Sequence, residues 1–330
     1  MPAIAEFVRR ADEATGGVTM LTVREHRYPF LRKVGDWNRW SRNTGGTLVE
    51  KCCHFFDLMR LVFRADPVRL FASGGLSHNH ADERYGPAAG DGAAAEAVDG
   101  RPDILDNAYV VLDFPGGRRA LLELCMFAEG SRFQEELTAV GVRGKLEARL
   151  PGPGRFWRGG VSAAGVGAAG GGAAGGGAGG SGAEASAAAA AGAAAADGAA
   201  DGAADGAADE AQPEAVVESS PRPEWDGDVG VVGGGAARRE RATLPVDPRL
   251  RAAGDHNGST FYQHERFLRV VVGAAAALGA GAGGGQGPAV SVEVSLDDGL
   301  RAVVIGLAAE ASAREGRAVD LTQGPYSLRW

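Results

Sequence analysis

No stretch of the 330 residues is both long and apolar enough to span a bilayer, and the opening MPAIAEFVRRADEATGG lacks the apolar core of a signal peptide. A soluble, cytoplasmic protein is the expectation. Basic blocks are missing too. The 34 Lys and Arg face 42 Asp and Glu, a net charge of −8, which argues against nucleic acid as a partner. Cysteine is scarce: Cys52, Cys53 and Cys125 are an odd set with two neighbours in sequence. That is no disulfide framework, and a reducing compartment is expected.

Sequence complexity is absent from one long tract. Residues 159–211 are nearly all Gly, Ala and Asp, and the unit Asp-Gly-Ala-Ala recurs from Asp197 to Ala208. Such a tract buries too little apolar surface to offset its ordering entropy. It reads as a disordered insertion that extends, poorly ordered, to residue 240.

Periodic patterning covers the rest. Ile4, Phe7 and Val8 share one face of a helix over residues 3–14, stopped by Gly16 and Gly17. Residues 18–26 alternate as a strand. Residues 47–63 read as one helix, apolar nearly all round and therefore buried. Strands follow at 67–74, 107–114, 118–127, 132–140 and 144–150. Pro115-Gly116-Gly117 and Glu129-Gly130 supply the tight turns, so consecutive strands are expected to pair antiparallel. A short strand near Arg241 and helices over 257–272 and 296–315 complete the pattern. Asp297 and Asp298 suit the first turn of the last helix.

Three ionisable residues interrupt the apolar helix: Glu50, His54 and Asp57, at i, i+4 and i+7. At about 100° per residue they fall within roughly a 60° arc. A carboxylate one turn from a histidine can orient the ring and raise its basicity, as proton transfer requires. A satisfied internal hydrogen bond fits the same spacing. Metal binding fits it less well, because Cys52 and Cys53 point to other faces, and His78 and His80 lie in a separate loop. His26 ends the first strand, where site residues often gather, and Trp37 and Trp40 offer flat surfaces suited to a sugar. His256, Asn257 and His264 flank the start of a later helix.

These residues carry a resemblance. NTGGTLVEKCCHFFDLMRLVF, with Gly45, Gly46, Glu50, His54 and Asp57, resembles the substrate-domain helix of the glucose–fructose oxidoreductase / inositol dehydrogenase (Gfo/Idh/MocA) family. DHNGSTFYQHERFLR and VSLDDGLRAVVIGLAAEASAREGR resemble its last segments. The resemblance implies an α+β domain: a large, open, mainly antiparallel sheet with helices on one face. It implies NAD or NADP in the complete protein and a sugar- or polyol-like substrate. His54 and Glu50 match the catalytic positions. Asp57, His26, Trp37 and Asn257 are expected to bind substrate. Oligomers are expected through the open sheet.

The family's N-terminal Rossmann domain finds no match in this sequence. Gly165, Gly167 and Gly170 form a Gly-x-Gly-x-x-Gly by chance, inside the low-complexity tract. The family's Glu-Lys-Pro motif is missing as well. The expected organisation is a remnant linking helix over 1–16, a substrate domain over 17–158 and 241–330, and the insertion over 159–240. Such a chain is expected to be inactive alone. The alternative is a non-catalytic binding or assembly module.

Overall fold

The computed structural model describes residues 1–85, 100–128, 131–151, 215–221, 225–226, 230–231, 240–243, 247–252, 258–279 and 294–330. The insertion read at 159–211 lies outside them. Helix α1 (Pro2–Thr15) runs into β1 (Val18–His26). After a 3₁₀ turn come α2 (Ser41–Thr44), α3 (Thr47–Glu50), α4 (Cys53–Phe63), β2 (Arg69–Gly75), β3 (Asn107–Phe114), β4 (Arg118–Cys125), β5 (Phe133–Gly141) and β6 (Gly144–Pro151). Strand β7 (Val216–Pro221), a small ribbon of β8 (Trp225–Asp226) and β9 (Gly230–Val231), and β10 (Glu240–Thr243) follow. Last come α5 (Pro248–Ala252), α6 (Ser259–Gly279), α7 (Leu296–Glu315) and β11 (Val319–Asp320).

Nine strands form one open, mixed sheet in the order β10-β7-β6-β5-β1-β4-β3-β2-β11. All neighbours run antiparallel except β1 and β4, which run parallel. Two expectations change here. Strands β4 and β5 were expected to pair through their tight turn, but β1 lies between them. The connection crosses about two strand spacings, ~10 Å, which seven residues span easily. Backbone bonds from Arg27 N–H to Cys125 O and from Ala128 N–H to Arg27 O, both 2.9 Å, tie the crossing to the end of β1. Second, residues 216–221 are a paired strand inside the segment read as poorly ordered, with Val216 and Val217 buried.

Alternation along each strand separates the two faces of the sheet. Leu21 and Val23, Ala72, Val110, Leu122, Leu137, Ala139, Leu146 and Ala148 all point into one core. Helices cover that face. Helix α1 buries Ala3, Phe7, Ala11 and Thr15 at four-residue intervals. It packs on β5, β6 and β7 and joins this core. Helix α7 opens with a reciprocal cap, in which Ser295 Oγ accepts from Asp298 N–H and the Asp298 carboxylate accepts from Ser295 N–H.

The uninterrupted helix expected at 47–63 is two pieces, broken at Lys51–Cys52. It is also not buried all round: Leu61 is exposed, and Glu50, Cys53, Asp57 and Arg60 are half-buried. Gly46 sets its entry, with φ +96° and ψ 169°, a region open essentially to glycine alone. A Cβ there would overlap the Glu310 carboxylate. That carboxylate accepts the Leu48 N–H at 2.8 Å and so caps α3. Gly46→Ala is expected to cost about 1–3 kcal/mol, read from the midpoint of urea unfolding. An unchanged midpoint would show that the turn is not under this constraint.

Candidate functional site

The stripe expected from the sequence survives the helix break. Lys51 (φ −98°, ψ −30°) and Cys52 (φ −109°, ψ −6°) keep right-handed angles, so Glu50, His54 and Asp57 still follow one another along one side. His54 is exposed and Glu50 half-buried. The imidazole therefore opens outward and is not sealed in the core. Its ring packs at a tilt on Phe55, with centroids 4.0 Å apart. One carboxylate oxygen of Glu50, Oε2, is buried and accepts no hydrogen bond. Burial raises the Glu50 carboxyl above its ordinary range, against the opposing fields of Lys33, Lys51, Arg27 and Arg39. A carboxylate in that setting is poised to accept a hydroxyl or an imidazole N–H.

Asp57 sits further along the stripe in a different setting. It accepts from Arg60 Nη1 at 3.0 Å. Arg60 also donates to Asp66 at 2.7 Å and to Asp298 at 3.3 Å, joining α4 to the start of α7. Burial raises the Asp57 carboxyl, and the Arg60 guanidinium offsets part of that. This network fastens two helices.

The structure does not bring His26 to the stripe. In β1, Leu21, Val23 and Glu25 face the helices, so Arg24 and His26 point to the opposite side of the sheet. There His26 Nε2 lies 3.0 Å from Glu123 Oε1. Arg24 bridges Glu123 and Glu136, each at 3.0 Å, in a charged ladder on the open face. Trp37 lies in the 3₁₀ turn, 42 % exposed, and its carbonyl accepts from Asn43 Nδ2 at 3.0 Å. Asn257 lies outside the described residues.

Sequence reasoning missed the charges beneath the stripe. Glu25 is wholly buried, and Lys51 turns inward at the helix break to place Nζ 2.9 Å from Glu25 Oε1. Glu135 stands directly opposite Glu25 on β5 and is also buried. Oε2 of each glutamate lacks a hydrogen-bond partner. The signal was present: an acid at the buried parity of a strand that reads Leu21, Val23, Glu25. Also missed was Arg39, only 1 % exposed, whose Nε donates to Glu83 Oε2 at 2.8 Å.

Among the described residues, no group of three His, Cys, Asp or Glu side chains is placed to hold a metal ion. No described helix is long and apolar enough to cross a membrane.

Residues 12–159 match the family model of the Gfo/Idh/MocA oxidoreductase C-terminal alpha/beta domain. No curated protein matches the sequence. Among solved structures, the chain is similar to an oxidoreductase domain protein from Kribbella flavida, at 16 % identity and TM-score 0.51, with 98 % of this chain and 64 % of that one covered. It is also similar to a super-repressor mutant of Gal80p from Saccharomyces cerevisiae, at 8 % identity and TM-score 0.54, with 98 % and 63 % covered. At these identities the likeness is one of fold. The chain spans less than two thirds of the length of these structures. Over residues 12–159, just under half of the chain, the sequence matches the Gfo/Idh/MocA oxidoreductase C-terminal alpha/beta domain, and the open mixed sheet with its helix-covered face is consistent with that fold.

Proposed function

We propose that this domain forms the substrate side of an oxidoreductase that acts on an alcohol carbon of a sugar or polyol. The observation that carries the reading is the exposed His54, one turn beyond a half-buried Glu50 with an unpartnered oxygen. His54 would handle only the hydroxyl proton, taking it when a hydride acceptor held by another part of the protein removed the carbinol hydride and returning it in the reverse direction. Glu50 orients the substrate hydroxyl or the ring. The cations Arg27, Lys33, Arg39 and Lys51 surround this acid and limit the cost of its charge.

The described residues do not fit NAD or NADP. Among them no glycine-rich turn joins a strand to a helix whose N-terminus faces a pyrophosphate, and the sheet's one parallel pair has no helical crossover of that kind. Dinucleotide binding is therefore assigned to a part of the protein outside these residues. That disagreement is also what favours a second reading, a binding or assembly module that uses the same stripe without chemistry.

Two measurements separate the readings. Glucose or myo-inositol should shift the His54 ring resonances saturably, and silence at near-molar sugar would sink the substrate assignment. The chain alone should show no turnover with NAD or NADP across a panel of sugars and polyols. With a dinucleotide-binding domain of a family member fused ahead of it, turnover should appear. His54→Asn should then lower kcat by about 10²–10⁴-fold with little change in KM. A fused enzyme whose kcat ignores His54 would overturn the role given to His54, and a fusion that shows no turnover would leave only the binding-module reading.

A further inference from the structure

Two buried acids that the stripe does not use lie beside its helix break. Glu25 on β1 and Glu135 on β5 are register partners across an antiparallel pair, and both are buried. Lys51 Nζ lies 2.9 Å from Glu25 Oε1, and Arg27 Nη1 lies 3.7 Å from the same atom. Gln134 Nε2 approaches it at 3.4 Å. Oε2 of each glutamate is buried and accepts no hydrogen bond. The Met1 amine at the head of α1 attracts Glu135 and is itself repelled by Arg266 of α6. Burial, and next the charge of Glu25, push the Cys52 thiol well up, so that group adds no charge.

Lys51 and Arg27 act on two acids at once. Burial raises the Glu135 carboxyl to about 7, the charge of Glu25 adds to the rise, and Lys51 and Arg27 oppose it. The same two cations, with Lys33 and Arg39, oppose the burial that raises Glu50 on the stripe. Lys51 also follows Glu50 directly in the chain, at the break between α3 and α4. A negative charge added on one side offsets the field that these cations exert on the other. Glu50 is half-buried among four cations, whereas Glu135 is buried against a like charge, so Glu135 ionises second.

Building on the reading that the stripe binds a sugar or polyol through Glu50, we propose that the buried Glu25–Glu135 pair is a pH-sensitive control of that site, acting on Glu50 through Lys51 and Arg27. While the pair holds a proton, both cations support the Glu50 anion. When that proton leaves, the second buried charge takes up part of their field. Glu50 then becomes more basic and accepts a substrate hydroxyl more strongly.

Carboxyl-carbon NMR of the full chain, followed from about pH 5 to about pH 9, tests the coupling with no ligand present. The Glu50 signal should show a second, smaller inflection where Glu135 titrates. Glu135→Gln should abolish that inflection. Glu310→Gln should keep it, although Glu310 is also raised to about 7, because the amide oxygen still accepts the Leu48 N–H. Coupling is reciprocal, so Glu50→Gln should lower the proton affinity of Glu135 about three- to tenfold. With glucose or myo-inositol, read from the His54 ring, the ratio of wild-type to Glu135→Gln affinity should rise about two- to threefold across the same interval. A Glu50 signal without the inflection, or with one that persists in Glu135→Gln, would overturn the proposal. So would a Glu135 titration indifferent to Glu50→Gln, or sugar binding whose affinity ratio stays flat. Intact coupling with no sugar bound at near-molar concentration would sink the substrate reading alone and leave the link between the pair and Glu50 standing.

Discussion

Glu135→Gln is expected to stabilise the protein by about 1–3 kcal/mol near pH 8 and by little near pH 5. Glu135 lies on the helix-covered face of β5, 5 % exposed, in line with Leu137 and Ala139. Burial pushes its carboxyl up from an ordinary 4.5 to about 7, and the charge of Glu25 across the strand pair adds to the rise. Lys51, Arg27 and the Met1 amine oppose that rise and do not cancel it. A carboxyl raised on folding binds its proton more tightly in the native state. Its contribution is complete below about pH 4.5 and is lost as pH climbs through about 7. The amide imitates the protonated form at every pH, so the gain appears only where the wild type would ionise. Glu310, pushed up to about 7 mainly by burial, adds to the same slope. The carboxyls held low by arginines, such as Glu6 and Asp36, pair with the exposed side chains of Arg9 and Arg32, where solvent screens them, so they weigh less. Chemical denaturation between about pH 5 and pH 8 should show wild-type stability falling and the variant's falling less. Parallel curves would mean that Glu135 is neutral throughout, or paired by a group other than those named.

How much of this was legible beforehand depends on the range of the interaction. The acidic first turn of α7 at Asp297 and Asp298, the hairpin turn at Pro115–Gly117 and the apolar face of α1 that carries Phe7 are local, and each is written in neighbouring residues. The stripe of Glu50, His54 and Asp57 is local too, which is why it was readable despite the break at Lys51–Cys52. Non-local choices were not readable. Nothing within residues 118–141 says that β1, a hundred residues earlier, will part β4 from β5; that follows from which strands best bury a shared apolar face. Strand β7 escaped because Val216 and Val217 stand alone beside a low-complexity tract and gain strand character only by pairing with β6. His26 lies apart from the stripe for a simpler reason. Strand parity assigned it to the polar side, opposite Glu25, and that parity went unused.

Lys51→Met is expected to cost about 3–5 kcal/mol near pH 8, because it strands Glu25 inside the core. Glu25 has no exposure, and its Oε1 meets Lys51 Nζ at 2.9 Å. The remaining neighbours are poor substitutes. Arg27 Nη1 is 3.7 Å away and Gln134 Nε2 3.4 Å, at the limit of a hydrogen bond, while Glu135 directly opposite is of like sign. The pair itself need not stabilise the fold, since two desolvated charges cost about as much as their attraction returns. The cycle therefore matters more than the single variant. Glu25→Gln with Lys51→Met should recover most of the loss, giving a coupling of about 1–3 kcal/mol for two groups in direct contact. Lowering the pH through about 7 should ease Lys51→Met, because protonation of Glu135 removes the like charge that faces Glu25. A further consequence reaches the stripe. Lys51 occupies the break between α3 and α4, and there its side chain turns inward to Glu25. Without that tie the two helices are free to merge or slip, so His54 resonances should broaden in Lys51→Met and sharpen again in the double variant. A single substitution costing less than about 0.5 kcal/mol, with His54 unmoved, would show that the break is set by packing and not by the buried ion pair.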